Sequence, residues 1–273
     1  MTPSTTIGVF DSGFGGLTVL RELLPLVPGA HYVYLGDTAR LPYGSKSQAT
    51  IARYAVESAR FLEARGADQL VIACNTASAL AMPEITAAVR IPVTGVIAPV
   101  VETTHHRHPA ADTLILATAA TVHSHAYRAH CEALGLHATE KACPLLVPLI
   151  EEGWIDHPVT REVLRIYLSE ALGLCSPQVV ILGCTHYPLI APLVTETLHS
   201  LGSSAQVIDS AQATARTVES LLSQNGTHPA AAQNHPAATC EFFATDSVEK
   251  FARLGSAFLG RPVDHVQLLD LGG

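Results

Sequence analysis

The chain reads as an α/β protein of two lobes with mostly parallel sheets, related by an approximate twofold, with a ligand site between them. Three observations predict this. Short β-branched apolar runs alternate with longer segments of helical period, and strands written as unbroken apolar runs are those buried on both faces of parallel βαβ units. The length, 273 residues, is long for one core and comfortable for two. One strand-and-turn signature occurs twice, as Val71-Ile72-Ala73-Cys74-Asn75-Thr76 and as Ile181-Leu182-Gly183-Cys184-Thr185-His186.

Taken in order, strands are expected at Ile7–Phe10, Tyr32–Leu35, Leu70–Ala73, Val93–Ile97, Leu114–Ala117, Val179–Gly183, Ala205–Ile208 and Cys240–Ala244. Between them the 3.6-residue period marks helices over Leu17–Leu24, Gln48–Ala64, Thr160–Ala171, Ala211–Leu222 and Val248–Phe258. Lys141 falls on a charged strand edge. The stretch 225–239, rich in Ala, Pro, His and Asn, reads as a surface linker before the last strand. The internal echo extends loosely to the lobe starts, Gly8-Val9-Phe10-Asp11-Ser12 against Ile115-Leu116-Ala117-Thr118-Ala119. Duplicated lobes would set both cysteines at strand C-termini, where ligands bind in open α/β sheets.

Composition excludes several classes. Hydrophobic residues make up 48% and charged residues 15%, so a large core forms readily. A net charge of -8 without an extended basic run argues against nucleic acid or an anionic membrane as partner. The six cysteines form no CxxC pair, no signal segment opens the chain, and no apolar run reaches bilayer length. A reduced, cytoplasmic protein is expected. The fourteen histidines cluster as His105-His106-His108 and His123-x-His125, without carboxylates or cysteines at a ligand spacing, so no metal is expected.

A lone cysteine after an apolar strand is usually core, and Cys131, Cys143, Cys175 and Cys240 are read that way. Cys74 and Cys184 differ, because polar residues follow each where a helix should begin; such a position stabilises a thiolate and offers N–H groups to a carboxylate. Two opposed thiols suit one chemistry in particular. Inverting a carbon centre removes a proton from one face and delivers another to the opposite face. A thiol, with a reference pKa of about 8.5, can serve as acid or base near neutrality. The α-proton of an amino acid is far less acidic, so preorganised donors and exclusion of water must stabilise the carbanion-like transition state.

The turn Asp11-Ser12-Gly13-Phe14-Gly15-Gly16 follows the first strand and lets backbone approach a ligand. With Asp37 it imitates a dinucleotide fingerprint, but the third glycine position holds Thr18, so an NAD(P)-dependent oxidoreductase ranks second. Leu41-Pro42-Tyr43-Gly44-Ser45 can close over a ligand or be only a loop. Thr118 and Thr121 are helix caps or substrate contacts, and His186 is a core histidine or a tuner of Cys184. Racemisation through pyridoxal phosphate needs a Schiff-base lysine, and none of Lys46, Lys141 and Lys250 lies beside an evident phosphate cup. A mechanism without cofactor fits better. A non-catalytic amino-acid sensor is the third reading.

The blocks 10–20, 36–44, 73–78 and 182–189, supported by 117–122, 147–153 and 208–210, together resemble glutamate racemase, of the aspartate/glutamate racemase superfamily, from about residue 7 to the C-terminus. The resemblance implies two Rossmann-like or flavodoxin-like lobes: residues 1–97 with 209–273 carrying Cys74, and residues 98–208 carrying Cys184. It implies cofactor-independent conversion of L-glutamate to D-glutamate for peptidoglycan, in a homodimer. Cys74 and Cys184 become the proton donor and acceptor, assisted by Asp11 and His186 respectively, with Cys184 facing L-glutamate. Asp11, Ser12, Pro42, Tyr43, Gly44, Asn75, Thr76, Thr185 and His186 would hold the substrate, with Thr118 and Thr121 as further contacts. A catalytic glutamate falls at Glu151-Glu152, Glu151 being favoured. Aspartate or hydantoin racemase is the alternative within the superfamily. The first strand begins close to Met1, so the extended N-terminus of activator-dependent members is expected to be missing, and with it the need for a cell-wall precursor. The family does not explain the stretch 225–239.

Overall fold

The computed structural model describes residues 5–224 and 238–272. Its strands are β1 (Thr6–Asp11), β2 (His31–Gly36), β3 (Gln69–Ile72), β4 (Val93–Gly95), β5 (Asp112–Ala117), β6 (His137–Ala142), β7 (Val179–Gly183), β8 (Gln206–Asp209), β9 (Thr239–Ala244) and β10 (Val266–Leu268). They form two sheets, ordered β10-β9-β2-β1-β3-β4 and β6-β5-β7-β8, and every pairing is parallel. The apolar runs explain the burial. β3 is sealed at all four positions and β7 at all five, as strands covered by helices on both faces must be.

The echo in the sequence has a topological meaning. β2-β1-β3-β4 and β6-β5-β7-β8 share one order, so β1 corresponds to β5 and β3 to β7. In such a doubly wound sheet the chain winds in opposite senses on either side of the first strand. The crevice therefore opens at the carboxyl ends of β1 and β3, and equally of β5 and β7. Cys74 and Cys184 follow β3 and β7.

The helix Ile97–Arg107 carries the chain from the first sheet to the second, and Ser210–Gln224 leads away from β8. Ser210–Gln224 packs on Leu17–Leu26 of the first lobe and on Ile97–Arg107. One apolar core consequently runs through both lobes, from Phe14, Leu17 and Tyr34 to Leu114, Leu182 and Tyr187. All five expected helices are present. No helix among the described residues is long and apolar enough to cross a membrane.

Three expectations need adjustment. The run Val93–Ile97 is not all strand: β4 stops at Gly95, Val96 donates its N–H to Ser78 Oγ at 3.2 Å, and Ile97 opens a helix. An apolar run alone cannot distinguish a buried strand end from a buried helix start. The charged edge around Lys141 is β6, the outer strand of the second sheet, whereas β10 carried no expectation. Of the expected linker 225–239, residues 225–237 lie outside the described residues, and Thr239 already belongs to β9, paired with His31.

Candidate active site

A cleft of about 530 Å³ opens where the carboxyl ends of the two sheets meet, and both Cys74 and Cys184 line it. They are 4% and 6% exposed, so each thiol looks into the cleft from a mostly buried seat. Among the described residues all six cysteines are free.

Cys74 is itself the N-cap of the helix Asn75–Leu80, its sulfur accepting the N–H of Ala77 at 3.5 Å. Its thiol donates to Ser12 Oγ at 3.5 Å. Asp11, at the end of β1, is 1% exposed and accepts the Gly13 N–H at 3.0 Å, while Oδ1 has no hydrogen-bond partner. Burial, and then the charge of Asp11, push the Cys74 thiol up to about 12, against the hydrogen bonds from Ser12 and Ala77 that favour the thiolate. The cap therefore does not hold a resting thiolate, contrary to the expectation from its place at a helix start. The balance of these influences favours the protonated thiol. Burial also raises the pKa of Asp11, with His186 and backbone N–H groups opposing.

The Cys184 side is built differently. A short turn of 3-10 helix, Tyr187–Ile190, intervenes before the helix Ala191–Ser200, so Cys184 does not sit at an α-helix N-terminus. Its sulfur lies 3.9 Å from His186 Nδ1, and His186 Nε2 lies 3.2 Å from Glu151 Oε1. Burial alone would push the imidazole down, but its bonds to Cys184 and Glu151 outweigh that and hold it up at about 10. Burial acts on Glu151 in the opposite sense, yet His186 and Lys250 keep its carboxyl below the usual range. Lys250 Nζ completes the row, 3.6 Å from Glu151 Oε2. Phe258 stands edge-on to the His186 ring, at 5.0 Å and 78°.

The walls come from loops anchored away from the cleft. Asp37 is fully buried and accepts from Tyr43 Oη at 2.6 Å and from Thr245 Oγ1 at 2.9 Å, pinning the loop that carries Pro42, Tyr43 and Gly44. The Tyr43 hydroxyl is thus spent on the scaffold. Across the lobes, Thr76, Thr118 and Thr121 join hydroxyls at 3.0 to 3.3 Å, and Tyr127 Oη donates to Asn75 Oδ1 at 2.6 Å. That leaves Asn75 Nδ2 buried without a partner beside the cleft. The glycine turn serves lobe packing: a Cβ at Gly15 would stand 2.2 Å from Thr185 Oγ1. The space a pyrophosphate would take is filled by the other lobe.

Of the residues expected at the site, Ser12, Pro42, Tyr43, Gly44, Cys74, Asn75, Thr76, Thr118, Glu151, Cys184, Thr185 and His186 all line this cleft. Asp11 and Thr121 do not; each stands behind a lining residue, Ser12 or Thr118. Glu152 also lines the cleft but is exposed, and it is Glu151 that reaches His186. Sequence reasoning missed Lys250 and Cys143, which line the cleft too. Cys143 was read as core and is indeed only 1% exposed. Lys250 carried no local signal, because the contact joins residues 151 and 250 across the two lobes. Among the described residues no group of three His, Cys, Asp or Glu could hold a metal.

Residues 7–218 match the family described as Asp/Glu/Hydantoin racemase. The chain belongs to this family. It is 50% identical to the glutamate racemase of Koribacter versatilis over 98% of both chains. Among solved structures, the racemase resembles a glutamate racemase isoform from Bacillus anthracis, with a TM-score of 0.90 and 32% identity over 99% of both chains. The glutamate racemase of Francisella tularensis, solved in complex with D-glutamate, gives 0.87 and 33% identity over 98% of both chains. The enzyme is thus an isomerase with the two-lobe racemase fold.

Proposed function

We propose that this enzyme converts L-glutamate to D-glutamate by two-base proton transfer between Cys74 and Cys184, using no cofactor, and that its product feeds peptidoglycan synthesis. The observation that carries the reading is the shared cleft: two thiols, one after the equivalent strand of each lobe, both facing one volume of about 530 Å³. The substrate choice rests on the relatives, which are named glutamate racemases over nearly the whole chain.

In the forward direction the Cys184 thiolate, with the His186 imidazolium beside it, takes the α-proton of L-glutamate. Its electron pair passes to the carbanion, delocalised onto the carboxylate. The Cys74 S–H then delivers its proton to the opposite face, giving D-glutamate, Cys184 as a thiol and Cys74 as a thiolate. The reverse reaction exchanges the roles. Ser12, Asn75, Thr76 and Thr185 supply polar groups to hold the substrate, and the unpartnered Asn75 Nδ2 suits one of its carboxylates. Asp11 acts on Cys74 through charge and through the turn it fixes.

The test is decay of circular dichroism from L-glutamate, L-aspartate and a hydantoin, followed with purified protein in deuterated water. Glutamate should decay fastest, and the product should carry deuterium at the α-carbon. Cys74→Ser and Cys184→Ser should each lose more than about a hundredfold in rate, on the order of 3 kcal/mol in barrier. Faster decay of aspartate would overturn the substrate, and full activity in either mutant would overturn the two-thiol scheme.

A further inference from the structure

The two thiols are served unequally. Cys74 has a serine and a buried aspartate, whereas Cys184 heads a row of alternating groups, thiol, imidazole, carboxylate and ammonium, spaced at 3.9, 3.2 and 3.6 Å. The last member comes from elsewhere in the molecule. Lys250 lies in the helix Val248–Leu259, which follows β9 of the first lobe's sheet, while Glu151 ends the helix Leu146–Glu151 between β6 and β7 of the second. We propose that Lys250 is a positioning residue for the Cys184 half of the reaction, holding one oxygen of Glu151 so that the other stays aimed at His186.

Three features of the structure support this. Lys250 is the one Lys or Arg among the described residues lining the cleft, so no other Lys or Arg among them can fix the second oxygen of Glu151. Its ammonium is placed by a ring: it lies 5.4 Å from the centroid of Phe14, which itself packs against Phe251, the neighbour of Lys250. The same helix sends Phe258 against the edge of His186, so one rigid element touches both the imidazole and its carboxylate. Glu151, at 17% side-chain exposure, would otherwise be free to turn an oxygen toward water. An ion pair with one partner 47% exposed contributes little to stability, and its value lies in orientation.

The inference rests on the two-thiol reading, and the experiment separates their failures. Enantiomers have equal free energy, so kcat/KM must fall equally in both directions whatever the mutation. The isotope effects are not bound in this way. With α-deuterated glutamate, the L-to-D effect reports abstraction by Cys184 and the D-to-L effect reports abstraction by Cys74. Lys250→Met should lower kcat about two- to fivefold, the range expected of a partly exposed pair. It should raise the L-to-D isotope effect and diminish the D-to-L one. Lys250→Arg should restore both, and in a Glu151→Gln background Lys250→Met should add nothing further.

Unchanged or equally changed isotope effects, or an undiminished loss in the Glu151→Gln background, would overturn the proposal. So would a rise in KM alone in both directions, which would make Lys250 a substrate contact. A reversed split would keep the role of Lys250 but overturn the assignment of Cys184 to the L enantiomer. Absence of glutamate racemisation in the unmutated enzyme would instead overturn the functional reading.

Discussion

Gly15→Ala tests whether the two lobes are held in register by the glycine turn. An added Cβ would stand 2.2 Å from Thr185 Oγ1, 2.6 Å from His186 Nδ1 and 2.8 Å from His186 Cε1. Carbon contacts become favourable only at about 3.5 Å, so the turn or the Cys184 loop must give by roughly an ångström. Thr185 cannot turn away at no cost, because its carbonyl accepts from Thr18 Oγ1 at 3.0 Å. His186 is held by Glu151 and Phe258. Overpacking of this kind costs about 1–3 kcal/mol, and a shift of about 1 Å at a reacting group costs about a hundredfold in rate. We expect glutamate racemisation, followed by circular dichroism, to fall by about two orders of magnitude, with Tm lower by several degrees. Gly173→Ala is the control: its Cβ would come no closer than 3.4 Å to anything, and it should leave rate and Tm nearly unchanged. If Gly15→Ala kept wild-type rate and Tm, the close approach of the two lobes would not be part of the working site.

Glu151→Gln removes one of the two groups that hold His186 up at about 10. A raised folded-state pKa means stability that is full below the ordinary value near about 6.5 and lost as pH rises through about 10. The variant should therefore show a lower Tm at pH 7 and a shallower further decline between pH 7 and 11; identical Tm profiles would refute the pairing. Tyr127→Phe leaves Asn75 Oδ1 buried without its 2.6 Å donor, costing about 1–3 kcal/mol. It should also raise KM for glutamate by freeing the Asn75 amide, and an unchanged urea midpoint would refute this. Thr118→Val breaks the cap on the helix Ala119–Ser124 and the hydroxyl contact to Thr76, for a loss of about 1 kcal/mol in urea unfolding. A variant as stable as the parent would show that this inter-lobe cluster adds nothing.

Much of this architecture was legible in the sequence, for identifiable reasons. Runs such as Val179–Gly183 are written for burial on both faces, and the repeated Cys-polar-polar turn marked the two strands whose ends build the cleft. What stayed hidden is what tertiary contact decides. Gly13 to Gly16 looked like a turn whose backbone could approach a ligand, whereas the room at Gly15 is taken by Thr185 and His186. Asp37 looked like a cofactor acid, whereas it anchors Tyr43. A glycine or an acid in sequence states a permission; only the packed chain shows who uses it.

The same distinction bears on how the thiols came to differ. Two lobes of one strand order place Cys74 and Cys184 at equivalent positions, yet their neighbours differ, Ser12 and Asp11 beside one and His186 and Glu151 beside the other. The helix Val248–Leu259, beyond the repeated order, lies over the first lobe's glycine turn and reaches His186 and Glu151 of the second. Burial with Asp11 nearby pushes the Cys74 thiol up, while Cys184 lies 3.9 Å from the imidazole that heads the row. A catalyst for two mirror-image substrates cannot be symmetric at the level of side chains, because the protein is built of one hand. Because enantiomers have equal free energy, kcat/KM is the same from each side whatever the two groups are, and only the division of the barrier between the proposed proton transfers is open to tuning. In the proposed two-thiol scheme the helix Val248–Leu259 is the element free to supply that tuning, because it follows β9, outside the strand order that the two lobes share.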